Sequence, residues 1–212
     1  MHRNLVPALF AATLMALPIS AAFAPLAPSA IAQAEQRVRI RGSIIGLDGQ
    51  TLKVKTREGE TADVTLAEGW TVSGMARASM ADIKPGDFVG IASLPRQGGG
   101  DGALEVLIFP PAMKGTGEGS YGWDLQPNST MTNATVAQAV KESDEHSVTL
   151  TYQGNEKKIA IPEGTPIVTF APATPADLRT GAAVFMIAEK SAGGAITARR
   201  VTVETNGVVP PM

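Results

Sequence analysis

Hydrophobic and polar residues alternate along most of the chain after about residue 36. In the first such segment Val38 and Ile40 fall on one face, and Arg37, Arg39 and Arg41 fall on the other. This period of two is typical of a half-buried β-strand. The same alternation, interrupted by turn signals such as Asp-Gly and Glu-Gly, predicts further short strands around residues 52–54, 62–66, 70–72, 88–93 and 104–109.

The alternation stops near Pro110 and returns near residue 133. The intervening segment is rich in Gly and contains Tyr121 and Trp123, which predicts a linker that is partly pinned by its aromatic side chains. Glu68-Gly69 in the first half and Glu163-Gly164 in the second predict turns at equivalent places. Beyond the linker the pattern predicts strands around residues 134–140, 148–152, 159–161, 167–170, 184–189 and 196–203.

One stretch occurs twice, as Ser79–Val89 and, 95 positions later (79 to 174), as Thr174–Val184. In each copy a Ser or Thr is followed three residues later by Asp82 or Asp177, which is a capping-box pattern. An Ile or Leu then follows, where it would anchor the turn on a core, and a Gly allows a tight turn before the next strand. The fixed offset predicts two copies of one small β unit.

Small β units must remove their exposed sheet edges, and closure into a barrel does so. The predicted fold is therefore all-β, with two tandem small OB-like β-barrels of about six strands and one short helical turn each. The predicted organisation is a signal peptide at 1–34, a first barrel at 35–110, a Gly-rich aromatic linker at 111–132, a second barrel at 133–205 and a loose tail at 206–212.

The N-terminal segment has the features of a secretory signal. A short charged start precedes a mostly apolar run from Leu5 to Ala16, and Ala32-Gln33-Ala34 matches a small-x-small cleavage site. The run is too short and too interrupted for about 20 residues of membrane span, which favours cleavage. We therefore expect a mature chain near Glu35, in the periplasm or secreted, with no transmembrane segment.

Outward-facing cations give the sequence its clearest candidate site. If the first two strands pair, they place six cations on one surface, a surface suited to an anionic glycan, lipid or protein of the cell envelope. Tyr121 and Trp123 would form its lip or would cover the seam between the barrels. Glu58, Glu60 and Asp63 follow along the chain and would neutralise the surface if they pair with it. The candidate cations are Arg37, Arg39, Arg41, Lys53, Lys55 and Arg57.

Other chemistry has weaker support. The chain has a formal net charge of −2 and few aromatic residues, so no nucleic acid is expected as a partner. There is no cysteine, no nucleophile motif and no cofactor motif, so neither an enzyme nor a cofactor is predicted. Asp82 and Asp177 are explained as caps, although a hydrolase using paired carboxylates stays open. An acidic predicted turn suggests an alternative metal site, made of Glu142, Asp144, Glu145 and His146.

Three segments carry a resemblance to a known family: Arg37–Gly42, Asp82–Gly90 and Gly119–Thr135, the last ending in Pro-Asn-Ser-Thr-Met-Thr-Asn-Ala-Thr. They look like a group of exported proteins of Gram-negative bacteria with tandem OB-like domains of unknown function. The resemblance covers essentially the whole mature chain and implies no activity for any residue. Members are often labelled metal ABC transporter permease, yet a permease needs several long apolar spans, which the mature sequence lacks.

These observations predict a non-enzymatic, exported binding or scaffolding protein of the bacterial cell envelope. It would recognise an anionic ligand through the basic strand face. The alternative is an accessory protein in metal uptake or tolerance, which rests on the family label and on the acidic turn around His146.

Overall fold

The structure is a computed structural model that describes residues 36–142 and 145–211, with the backbone alone for Glu142 and Glu145. The predicted signal peptide, 1–34, lies outside the described residues. Within these ranges no helix is long and apolar enough to cross a membrane. The described strands are β1 (Gln36–Asp48), β2 (Thr51–Thr56), β3 (Thr61–Arg77), β4 (Phe88–Pro95), β5 (Asp101–Ile108), β6 (Gly119–Gly122), β7 (Thr130–Glu142), β8 (Glu145–Tyr152), β9 (Asn155–Ala160), β10 (Ile167–Pro172), β11 (Ala183–Lys190) and β12 (Ile196–Val203), with 3₁₀ turns at Met80–Asp82, Pro111–Met113 and Pro175–Asp177.

The predicted all-β class is confirmed, and five strands close into a barrel. Antiparallel pairs join β3 to β2, β2 to β1, β1 to β11 and β11 to β12, and a parallel pairing of β12 with β3 closes the circle. Alternate side chains point inward and exclude water, which provides the main driving force for closure. The buried core of the barrel consists of Ile40, Ile44, Leu52, Val54, Val64, Leu66, Leu178, Ala182, Val184, Met186, Ala188, Ala198, Val201 and Val203.

The additional strands are paired in a second cycle. β5 pairs with β4, β4 with β7, β7 with β8 and β8 with β9, and a short parallel pairing returns from β9 to β5. We call this set the second ring. The end of β3 and the strand β10 connect it to the barrel, since β10 pairs with both β3 and β5. The ring surrounds its own apolar cluster, which includes Ile83, Val89, Ile91, Val106, Ala134, Val136, Val148, Leu150, Ile159 and Ile161.

The strand pairing does not follow the two predicted units, 35–110 and 133–205, because each ring contains strands from both. The barrel takes β1, β2 and β3 from the first half of the chain but β11 and β12 from the second, while β4 and β5 join β7, β8 and β9.

The predicted turn at Glu68-Gly69 is wrong, because β3 continues through it to Arg77. Gly69 has a φ of +71°, and the register against β12 shifts there, so the site is an irregularity within one long strand. The far end of β3 pairs with β10, which carries the chain out of the barrel before β4 begins.

The repeated capping stretches form as predicted, each on a 3₁₀ turn. The Ser79 amide and hydroxyl both donate to Oδ2 of Asp82 at 2.8 Å, and those of Thr174 donate to Oδ2 of Asp177 at 2.7 and 3.0 Å. These bonds satisfy an amide that the short turn would otherwise leave without a partner. Both Asp residues therefore have a structural role.

Each capped turn also delivers one apolar side chain to a core. Ile83 is fully buried in the second ring, and Leu178 is 5% exposed in the barrel. Gly86 and Gly181 follow with φ values of +91° and +89°, which suits Gly at the predicted turns. The turns thus place the strands β4 and β11 that follow them.

Backbone pairing occurs in or beside both segments that were predicted to be irregular, the linker and the tail. The linker predicted at 111–132 contains a 3₁₀ turn and β6, which pairs with β7, and β7 already begins at Thr130. The tail predicted as loose at 206–212 begins beside an isolated bridge between Thr205 and Val208. Oγ1 of Thr205 accepts from the Met75 amide at 2.8 Å and donates to its carbonyl at 2.6 Å, and Val208 packs against Met75. Met212 lies outside the described residues.

Candidate anion-binding face

The outer face of β1 carries three arginines, as the alternation predicts, but they differ in exposure. Arg37 and Arg39 are exposed, whereas Arg41 is 3% exposed. Val38 and Ile40 point the other way, toward the barrel core. Arg41 is buried on the outside of the barrel because another part of the chain covers it.

The covering part is the predicted linker, which lies against the arginines through Trp123. The Arg39 guanidinium carbon is 4.1 Å from the centre of the Trp123 ring, and that of Arg41 is 5.2 Å away. Arg41 also lies 5.0 Å from the Phe185 ring on the neighbouring strand β11. Tyr121 packs edge-on against Trp123 at 6.3 Å. Cation–π contacts of this kind hold a guanidinium against an aromatic face while leaving its N–H groups free to donate.

Asp124 follows Trp123 and forms the ionic centre of the site. Arg41 Nη1 donates to Oδ2 of Asp124 at 2.9 Å, and Nη2 lies 2.8 Å from Oδ1 as an ion-pair contact outside hydrogen-bond angles. Arg39 Nη1 is 3.7 Å from the same Oδ1, and Arg57 Nη2 donates to the Asp124 backbone carbonyl. Burial raises the pKa of Asp124, but the hydrogen bond and charge of Arg41 and the charge of Arg39 outweigh it and hold this pKa below its ordinary value.

The remaining predicted cations are arranged differently. Lys53 Nζ binds Asp63 at 2.9 and 3.0 Å across the β2–β3 pair, and Arg57 Nε donates to Glu58 at 2.8 Å. This bond to Arg57 is the first cause of a lowered Glu58 pKa. Lys55 is exposed. The six cations therefore do not form one open surface, since acids of the same chain pair with several of them, as the alternative reading of Glu58 and Asp63 predicts.

Two partners in this site could not be assigned from the sequence. Asp124 was part of a polar linker with no periodicity, and Phe185 belonged to an ordinary predicted strand. The one available signal was the Trp123-Asp124 pair in the linker, because an aromatic ring and a carboxylate can both contact arginine side chains. Three donors of the site, Arg41 Nε, Arg41 Nη2 and Trp123 Nε1, are buried and have no hydrogen-bond acceptor among the described residues, and of these Nη2 has the ion-pair contact with Asp124.

The alternative metal site falls partly outside the described residues. Asp144 is one of the two internal residues that are not described, and the side chains of Glu142 and Glu145 are not described either. His146 lies on β8 opposite Lys141 of β7. Among the described residues there is no group of three or more His, Cys, Asp or Glu side chains that could hold a metal ion.

A cavity of about 340 Å³ lies beside the C-terminal tail. Glu105 is the single carboxylate in its lining, so this cavity does not hold the two acids that the hydrolase alternative requires. The other lining residues are Leu104, Leu125, Gln126, Pro166, Val168, Val209, Pro210 and Pro211.

The fold and the site define an all-β protein with a closed five-stranded barrel whose outer face carries an arginine–tryptophan cluster. Comparisons with protein-family models, with curated proteins and with solved structures found no match.

Proposed function

We propose that the chain is a non-enzymatic, exported binding or scaffolding protein of the bacterial cell envelope. Its ligand is anionic, and its binding surface is the face formed by Arg37, Arg39 and Lys55 together with Tyr121 and Trp123. The observation that carries this proposal is the exposed Arg39 guanidinium stacked at 4.1 Å on Trp123. The proposed export depends on the signal sequence at 1–34.

The stacked pair suits recognition for two physical reasons. Arg, Trp and Tyr are the residues that most often dominate binding energy at interfaces. Stacking also fixes the guanidinium plane before binding, so less side-chain entropy is lost when an oxyanion is bound. Tyr121 is 39% exposed and Ile187, opposite Arg39 on β11, is 51% exposed, so apolar surface borders the cation.

We also propose that each half of the chain derives from one OB-like unit and that the two units have exchanged strands. The bounds of β4 and β11 are offset by 95 positions (88 to 183), and those of β5 and β12 have the same offset (101 to 196). The two capped 3₁₀ turns share it as well (80 to 175). In this arrangement the first three strands of each copy close a ring with the last two strands of the other.

The test uses the chain from Glu35 and two polyanionic probes. One arm measures co-sedimentation with phosphatidylglycerol vesicles, with phosphatidylcholine vesicles as the uncharged reference. The other arm measures retention on a sulfated polysaccharide column. Binding to at least one probe should weaken between 0.1 and 0.5 M salt, because exposed charge pairs are screened.

The variant Arg39→Gln/Lys55→Gln removes one Arg and one Lys from the proposed surface. At about 1 kcal/mol for each cation near an anionic surface, it should weaken binding roughly thirtyfold. The matched control is Arg179→Gln/Lys158→Gln, which removes the same charges at exposed positions elsewhere and should leave binding within about twofold. Salt-insensitive binding, or equal losses in the two variants, would refute the proposed surface.

A further inference from the structure

Three guanidinium groups on the barrel surface contact the same residue, Asp124. Arg39 and Arg41 come from β1, and Arg57 follows β2. The Arg57 amide donates to the Arg41 carbonyl at 3.0 Å, so the backbone fixes these two residues side by side. We call this set of three residues the arginine cradle. Because Arg41 packs against both the Trp123 and the Phe185 rings, which also contact each other, the cradle is preorganised by packing as well as by the strands.

The cradle is filled by the chain itself. The Asp124 carboxylate contacts Arg41 through both of its oxygens and lies 3.7 Å from Arg39, and its backbone carbonyl accepts from Arg57. Glu58 takes a further N–H of Arg57. Three guanidinium groups are thus matched by two carboxylates, Asp124 and Glu58, which leaves an excess of positive charge.

The Asp124 carboxylate also leaves donors of the site without an acceptor. Arg41 Nε and Trp123 Nε1 are buried, and no described residue accepts from either. A buried donor without an acceptor destabilises the folded state, because nothing compensates for the water that it has lost. A carboxylate has two oxygens, and both already contact the terminal nitrogens of Arg41. A group with more oxygens and more charge matches the donors of this site better than Asp124 does.

The geometry of the segment that covers the arginines allows another anion to replace the Asp124 carboxylate. The Asp124 side chain is 44% exposed, so solvent reaches it. The loop after it is closed independently, because the Trp123 amide donates to the Ser129 carbonyl at 2.8 Å, and the Ser129 hydroxyl lies within 3.0 Å of the carbonyls of Trp123 and Gln126. Loss of the Asp124 contacts therefore does not remove the bonds that shape this loop.

We propose that the arginine cradle is a phosphate-binding site in which Asp124 is an internal substitute ligand that an incoming phosphate group displaces. A phosphate monoester carries up to two negative charges and three terminal oxygens, which suits the fork geometry of Arg and the leftover donors. This inference rests on the proposed function, since it names the chemistry that the anion-binding face recognises. The phosphate belongs either to a lipid headgroup or to a free phosphate.

The test compares the wild-type chain from Glu35 with Asp124→Asn, which keeps the side-chain shape but removes the charge. Inorganic phosphate is titrated at constant ionic strength into ¹⁵N-labelled protein, with chloride as the reference anion. The readouts are the Trp123 indole and Arg41 Nε–H cross-peaks. The chain has two Trp residues, so a Trp70→Phe background identifies the indole of Trp123.

We expect phosphate to bind Asp124→Asn at least tenfold more tightly than wild type and to move both cross-peaks. The matched control is Asp63→Asn, which removes an acid paired with an outward cation of the same barrel and should not tighten phosphate binding. A second arm repeats the comparison with phosphatidic acid vesicles. Tighter binding of free phosphate identifies a soluble source, and a response to vesicles alone identifies a headgroup.

Equal phosphate affinity of the wild type and Asp124→Asn, or binding that leaves both cross-peaks unmoved, would overturn the inference. If Asp124→Asn does not fold, the titration of the wild type is the test. Millimolar phosphate must then move the Trp123 indole peak, and chloride must not. Salt-dependent polyanion binding without any Asp124 effect would refute the cradle and leave the proposed function intact. Tighter phosphate binding by Asp124→Asn without salt-dependent polyanion binding would support the cradle and refute the wider binding face.

Discussion

Cutting the chain between its two halves tests the proposed strand exchange directly. We consider a cut after Gly115, which is exposed and precedes β6. The fragment 36–115 then keeps β1, β2 and β3 of the barrel but loses β11 and β12. If each half folded by itself, as the predicted tandem order implies, the cut would produce two stable monomers. The observed pairing predicts instead that neither fragment closes the barrel alone.

The magnitude follows from the core residues that the fragment 36–115 lacks. β11 and β12 contribute six buried residues to the barrel core, and four of them are large: Val184, Met186, Val201 and Val203. At about 1.5–3 kcal/mol for each large side chain, their loss removes roughly 6–12 kcal/mol. This is comparable to the whole stability of a typical domain, about 5–15 kcal/mol. Fragment 36–115 should therefore not show cooperative unfolding as a monomer.

The assay is co-purification of the two fragments, 36–115 and 116–212, after separate and joint expression. Together they should elute as one particle with the mass of the intact chain and unfold in a single transition. A control protein with a protease site after Gly115, cleaved once it has folded, should behave in the same way. Two fragments that unfold cooperatively as monomers and do not bind each other would refute the exchanged pairing.

Three further predictions concern single positions. Leu178→Ala should lower the free energy of unfolding by about 2–5 kcal/mol in chemical denaturation, while the control Leu47→Ala, at a position 38% exposed, should cost clearly less; equal losses would contradict the anchoring role. Gly42→Ala should destabilise the barrel by at least about 1–3 kcal/mol, because an added Cβ would lie 2.0 Å from a carbonyl oxygen of β2, and an unchanged melting temperature would show that the strands can separate there. Hydrogen bonds to the residue that begins each capped turn lower the folded-state pKa of Asp82 and Asp177, so their contribution to stability is present above the ordinary pKa of 3.8 and is lost as pH falls through the lowered values. The double variant Asp82→Asn/Asp177→Asn should therefore lose less stability than wild type during acid titration, and parallel curves would contradict this role.

Local structure could be predicted from the sequence because its causes lie within a few residues. Asp82 and Asp177 bind the residue three positions earlier, so the pattern contains both partners. Ile83 and Leu178 were predicted as anchors for the same reason, and they are buried. The all-β class likewise follows from alternation within each strand.

Strand partners and the centre of the candidate site could not be predicted in this way. Alternation shows that β3 and β11 are strands, but it does not show that β11 pairs with β1 across most of the chain. The burial of Arg41 depends on Asp124, 83 positions away, and on Phe185. A period-two pattern places Arg41 on the outer face but carries no information about a segment that later covers this face.

The closing strand of the barrel also has a consequence for how the protein is made. β12 is the last strand, and it closes the barrel by pairing with β3. During synthesis β1 and β3 therefore present unpaired edges until β11 and β12 have been made, a topology that favours slow folding and exposure to aggregation. A chain that ends prematurely before Ile196 leaves this barrel open. Closure of this barrel therefore requires synthesis through Val203, and a shorter chain retains the exposed strand edges and apolar surface that chaperones and proteases bind.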